Sequence, residues 1–119
     1  VDAAIMNHHG YRDAQNEFFL TTLRPKVWTI SVWDAYHPTV DVWKRFQTAQ
    51  PKTGPCDIFA TDQHAMAREA IGNNNLASTA GHIVLRIKPG GNTFHVTIVD
   101  DTSESHRVTK VCGPYPSDQ

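Results

Sequence analysis

Asn16-Glu17-Phe18-Phe19-Leu20-Thr21-Thr22-Leu23-Arg24-Pro25-Lys26-Val27-Trp28-Thr29-Ile30-Ser31-Val32 holds the pattern that decides the fold. Asn16 is a helix-capping residue, and Phe19, Leu20 and Leu23 follow at the spacing of one helical face. Pro25 stops that helix. Residues 27–32 are then β-branched and nearly continuously apolar, which predicts a strand buried on both faces.

The same alternation continues on either side. Upstream, residues 2–6 are a short apolar run that predicts a buried strand, followed by a polar loop with Gly10. Downstream, Pro38 suits the first position of a helix, and Val40, Trp43 and Phe46 give it a stripe ending near Gln50. Residues 51–55 read as a loop and residues 56–60 as a third strand. Asp62 can cap a short helix over residues 63–71, closed by Gly72. Asn73, Asn74 and Asn75 form a polar loop. Then the period changes. Ile83, Leu85 and Ile87 alternate with His82, Val84, Arg86 and Lys88. Gly90-Gly91 marks a turn, and Phe94, Val96 and Ile98 alternate with Thr93, His95 and Thr97. This is a β-hairpin with one wet face. The order β-α-β-α-β-α and then a hairpin predicts an α/β fold with parallel neighbours and right-handed crossovers, the hairpin joining as antiparallel strands of one mixed sheet. Residues 101–119 read as a polar tail, in which residues 107–112 can add one strand.

Composition sets bounds. The chain has 119 residues, enough for one small domain. Eleven Lys and Arg against twelve Asp and Glu leave a formal charge of −1. That argues against a general nucleic-acid or polybasic membrane surface. No apolar run is long enough to span a membrane. Leu, Ile, Val and Phe make up about 22% of the chain, just above the level where disorder becomes the default, so the core is thin. Val and Ile far outnumber Leu, which favours strands. The chain begins at Val1 and runs straight into an apolar stretch, which suggests an excised piece of something longer. Cys56 and Cys112 lack metal-ligand spacing, so a disulfide and two free thiols both stay open.

Seven histidines are many for this length. The loops leaving the three βα strands carry His8-His9-Gly10, Asp34 with His37, and Asp62 with His64. In a parallel sheet such loops share one edge, where ligands bind. Imidazole and carboxylate suit a borderline cation such as zinc. Gly10 lets the backbone turn sharply, so that His8 or His9 can point back over the strand end. The plain alternative is a set of ordinary loop residues: His64 facing water, Asp62 a helix cap, His82 and His95 solvated on the hairpin, His106 on the surface. Trp28, Trp33 and Trp43 fit packing better than a substrate platform.

Taken in order, Asn7-His8-His9-Gly10, Glu17-Phe18-Phe19-Leu20, Leu23-Arg24-Pro25-Lys26-Val27, Ile30-Ser31-Val32, His37-Pro38 and Thr61-Asp62 form a series. It resembles the C-terminal half of a metallo-β-lactamase-fold hydrolase, in the branch that includes the extracellular domain of bacterial DNA-uptake channel (competence) proteins. The likeness covers residues 2–100, so residues 1–100 would form half of a four-layer αββα sandwich. It implies a one- or two-metal site, with zinc or manganese, that hydrolyses a phosphodiester or related ester by metal-activated water. It makes His8 the first candidate metal ligand, and His9 a second ligand or the support of the first. His37, with Asp34 beside it, would be catalytic, His37 acting as a ligand or as a donor to the scissile group's oxygen. Two residues depart from the family pattern: Tyr11 stands where Ser is usual and Tyr36 where Gly is usual, which leaves the substrate open.

The family's main metal motif, His-x-His/Asp-x-Asp-His, has no counterpart here, nor has the bridging Asp that precedes His-His-Gly. The chain alone is therefore expected to bind metal weakly and to be inactive without its N-terminal half. It is also expected to expose an apolar sheet face, to be covered by that half or by self-association. The branch is often exported, which points outside the cytoplasm. A non-catalytic α/β interaction or oligomerisation module is the alternative, and a simple one- or two-histidine metal binder a third reading.

Overall fold

The computed structural model describes residues 1–72 and 75–118. Three strands, β1 (Ala3–Ile5), β2 (Val27–Ile30) and β3 (Asp57–Ala60), form a parallel sheet in the order β1-β2-β3. The register sets Ala4 beside Trp28 and Trp28 beside Ile58. Three helices connect and flank them: α1 (Glu17–Leu23), α2 (Val40–Thr53) and α3 (Ala65–Ile71). A second, antiparallel sheet follows, with β5 (Thr93–Val99) between β4 (His82–Ile87) and β6 (Val108–Pro116). The protein is thus an α/β domain with two three-stranded sheets.

Strand parity explains the layers. Trp28, Ile30, Ile58 and Ala60 point to the helices and share a core with Leu20, Val42, Phe46, Ala49 and Ile71. Val27 and Phe59 point the opposite way and pack on Phe94, Val96 and Ile98 of β5. The order through the molecule is therefore helices, parallel sheet, antiparallel sheet. All four residues of β2 are buried, as a central strand covered on both sides must be.

Several expectations are corrected. The hairpin does not extend the parallel sheet into one mixed sheet. Its apolar face is used up in stacking on Val27 and Phe59, and the β3 edge is taken by residues 76–78, where Ala77 N donates to Ile58 O and Ala60 N to Ser78 O. The parallel sheet accordingly has both faces covered within the chain, where an exposed face had been expected. The strand that residues 101–119 could add does form, and is longer than residues 107–112: β6 runs the full length of β5. What stays uncovered are the two edge strands β4 and β6, with Ile87 71%, Val111 59% and Val108 51% exposed.

At the helix ends, Asn16 caps α1 as expected, its Oδ1 accepting from Phe19 N. α2 begins at Val40 with Thr39 as its cap, so Pro38 is not its first residue, and the helix runs past Gln50 through Pro51 to Thr53. Pro38 is instead held against Gly10 in the loop before the helix. His64, not Asp62, caps α3 by accepting from Met66 N, so that helix starts two residues late. Asn73 and Asn74 lie outside the described residues. Trp28 is buried, but Trp33 is 82% exposed and packs into no core.

Candidate functional site

β1 and β2 are parallel, so the loops leaving them emerge side by side. The first loop is a 3-10 turn, Asn7–Gly10, in which His8 and His9 have φ of 46° and 56°. Two successive non-glycine residues in the left-handed region cost about 1 kcal/mol or more each, so the surroundings must impose them. They do so at both ends. Met6 N donates to Thr29 O, Asn7 N to the side-chain oxygen of buried Gln15, and Tyr11 N to His8 O. The second loop, residues 31–39, meets the first directly: Thr39 N donates to Gly10 O at 3.0 Å. A Cβ on Gly10 would lie 3.1 Å from Pro38 Cβ, and Gly10 itself has φ +76°. Only glycine allows that approach and that turn together.

The junction gathers a row of rings. The His9 ring stacks on His37 with centroids 5.7 Å apart and on Trp33 at 6.1 Å. Tyr11 sets its edge against both His37 and His8, at 5.8 Å and 5.3 Å. The structure thus brings together His8, His9 and His37, as the sequence suggested.

The hydrogen bonds assign the proton on each imidazole, because a carbonyl or carboxylate can only accept and a backbone N–H can only donate. His8 Nδ1 bonds both carboxylate oxygens of Asp13, at 2.8 Å and 3.0 Å. His9 Nδ1 bonds Ser31 O at 2.6 Å. Both therefore carry Nδ1–H, so that in the neutral ring it is Nε2 that holds the lone pair a metal or a proton would take. His37 is the reverse. Its Nδ1 accepts from Trp33 N at 3.3 Å and from Asp34 N at 3.1 Å, so the neutral ring carries its proton on Nε2. It is only 5% exposed, and burial pushes its pKa below the ordinary histidine value. Asp34 opposes that shift, while His9 and His8 add to it. His37 is thus a neutral donor, and its Nε2 has no lone pair for a metal.

Asp34 serves chiefly as a turn builder. Its N–H and C=O hold His37, and its exposed carboxylate accepts from Tyr36 N at 3.4 Å. The third loop does not join. Among the described residues, no hydrogen bond or ring contact links Asp62 or His64 to the cluster. Asp62 accepts from Gln63 N, and His64 caps α3. His82 and His106 are exposed on the other sheet and its loop, and His95 is half-buried there.

Sequence reasoning missed Asp13 and Trp33. A carboxylate five residues after a histidine within a loop has no periodic signature, and an exposed tryptophan next to a buried strand looks like a packing residue. A cavity of about 240 Å³ adjoins the cluster, walled by Tyr11, Tyr36, Pro38 and Met66, with Arg12 and Asp41 also lining it. Tyr11 is its shared wall with the histidines.

The implied metal can be tested against these side chains. A zinc site takes four protein ligands, or three and a water. His8 and His9 offer two lone pairs, and His37 offers none. Among the described residues, no group of three or more His, Cys, Asp or Glu is placed to hold an ion. These residues do not make a complete metal centre. Cys56 and Cys112 are free thiols in different cores. No described helix is long and apolar enough to cross a membrane. No family model, curated protein or solved structure gives a significant match to the chain.

Proposed function

We propose that this chain is the C-terminal part of a metal-dependent hydrolase of the metallo-β-lactamase fold, acting on a phosphodiester or related ester and inactive without its N-terminal half. The observation that carries the proposal is the opposed protonation of the imidazoles: two present lone pairs, and the third presents an N–H, at one loop junction. The ordered motif series supports it. Ligands outside these residues would have to complete a metal centre and supply its activated water.

This chain's share is binding and polarisation. His37 Nε2–H, kept neutral by burial, donates to an ester oxygen on which negative charge develops. The two backbone N–H groups on Nδ1 hold the ring in the tautomer this needs. Asp13 and the Ser31 carbonyl do the converse for His8 and His9, each holding the proton of the neutral ring on Nδ1. The cavity beside Tyr11 offers room for the organic part of the ester.

The test compares the 119-residue chain with the product of its longer reading frame. Zinc content and hydrolysis of bis-(4-nitrophenyl) phosphate are measured on both. Turnover with bound zinc only in the longer protein is expected. Stoichiometric zinc and turnover in the short chain, or none in a folded, metal-loaded longer protein, would overturn the proposal.

A second reading, an interaction or oligomerisation module, is favoured by one observation. The edge strand β4 leaves Ile87, Leu85 and Val84 uncovered, and Val108 and Val111 on β6 are more than half exposed. Sedimentation of the chain tests it, since a concentration-dependent dimer supports it and a strict monomer does not.

A further inference from the structure

A second cavity, of about 540 Å³, lies away from the histidines, and none of its lining residues belongs to their cluster. All three layers contribute to it. Gln63 comes from the loop after β3, Arg68 from α3, Ala77, Ser78 and Thr79 from the segment along the β3 edge, and Lys110 from β6.

Its lining has one sign of charge. Arg68 and Lys110 are cations, and no Asp or Glu lines the cavity. Each is tethered by a main-chain carbonyl: Arg68 Nη2 donates to Gln63 O at 3.4 Å, and Lys110 Nζ donates to Ala77 O. Among the described residues, neither pairs with a carboxylate. Arg68 and Lys110 therefore have positions fixed by backbone but charges left uncompensated.

Gln63 is 7% exposed and its Nε2 is sealed from solvent, so the charged donors that the cavity presents are those of Arg68 and Lys110. Guanidinium and ammonium are donors only, the complement of a group that only accepts.

We propose that this cavity binds a phosphate-class oxyanion, free or as the end of a phosphomonoester, between Arg68 and Lys110. The site is independent of the hydrolase proposal and stands or falls without it.

The test is an amide NMR titration of the chain with sodium phosphate at constant ionic strength, with chloride as the control anion and glycerol phosphate as a second probe. Saturable shifts confined to residues 63, 68, 76–79 and 110 are expected. Arg68→Gln and Lys110→Gln should each weaken binding about tenfold or more, as loss of one charge-assisted bond does. Lys88→Gln, a cation in the β4–β5 turn that does not line the cavity, should leave it unchanged. Tighter binding of glycerol phosphate assigns a monoester, and equal or weaker binding assigns the free anion; either supports the site. Shifts matched by chloride, shifts spread over the surface, or equal weakening by Lys88→Gln would overturn it. The amide spectrum of each variant confirms folding. Lys110 is exposed on a strand, so Lys110→Gln remains informative if Arg68→Gln disturbs α3.

Discussion

Gly10→Ala tests whether contact between two loops builds the histidine site. Two costs follow from the structure. The first is backbone conformation: alanine at φ +76° carries about 1 kcal/mol that glycine does not. The second is contact. The new methyl would sit 3.1 Å from Pro38 Cβ and 3.4 Å from Pro38 Cα, inside the normal 3.5–4.0 Å of carbon pairs. Pro38 is rigid and buried, so relief requires the loops to part, an overpacking cost of about 1–3 kcal/mol. The expected loss is therefore about 2–4 kcal/mol. Unfolding entropy scales with length, and for 119 residues it is about 0.25 kcal/mol per kelvin. The thermal midpoint should fall by about 8–16 °C. Gly90→Ala is the control: it also has positive φ, but the atom nearest an added Cβ is Asn92 Nδ2 at 3.9 Å. It should lose only the backbone cost, about 4 °C by the same scaling. Thermal unfolding by circular dichroism reads both, and imidazole nitrogen NMR reads the site. In Gly10→Ala the Thr39 N–Gly10 O bond and the His9–His37 stack should both loosen. If Gly10→Ala loses no more than Gly90→Ala and its histidine signals do not move, the loop contact does not hold the site and the reasoning is refuted.

Other outcomes follow from the same geometry. Imidazole nitrogen spectra near neutral pH should show His37 as the Nε2–H tautomer and His8 and His9 as Nδ1–H; the opposite tautomer at His37 would remove its donor role. His37 has a folded pKa below its unfolded value of about 6.5, so the unfolded chain takes the proton first as pH falls. Its contribution to stability is full above pH 6.5 and declines below it, and His37→Gln should flatten the loss of thermal midpoint between pH 7.5 and 5.5. In the longer hydrolase proposed above, His8→Ala should abolish turnover with little change in midpoint. His37→Ala should lower turnover strongly and also cost about 1 kcal/mol by removing the acceptor of two part-buried N–H groups, while His82→Ala and His95→Ala should change turnover little. Asp2 ties the chain ends together, its carboxylate accepting from Ser117 Oγ, Asp118 N and Lys26 Nζ, with its pKa held low chiefly by the first two. Asp2→Asn should speed hydrogen exchange at Ser117 and Asp118, and the stabilisation Asp2 gives should persist above pH about 3.8 and vanish only as pH falls through its lower folded pKa.

The local grammar was legible. Asn16 and Pro25 bound α1, the β-branched run over residues 27–30 could only be a central strand, and the alternation on either side of Gly90-Gly91 set the hairpin register. Those signals are properties of neighbours in sequence. His8, His9 and His37 could be nominated for the same reason, since residues just after parallel strands share an edge. Tertiary structure decided the rest. Alternation says that Phe94, Val96 and Ile98 share a face but not what that face meets. Stacking on Val27 and Phe59 made a second sheet where one mixed sheet had been expected, because that burial removes more apolar surface from water than lengthening an edge would. Likewise, residue type gives a histidine two nitrogens but not the site of its proton. That is set by partners distant in sequence or folded back upon it. The Ser31 carbonyl fixes His9 and the Asp13 carboxylate fixes His8, while two backbone N–H groups fix His37. Donor or acceptor at each ring is therefore a property of the fold.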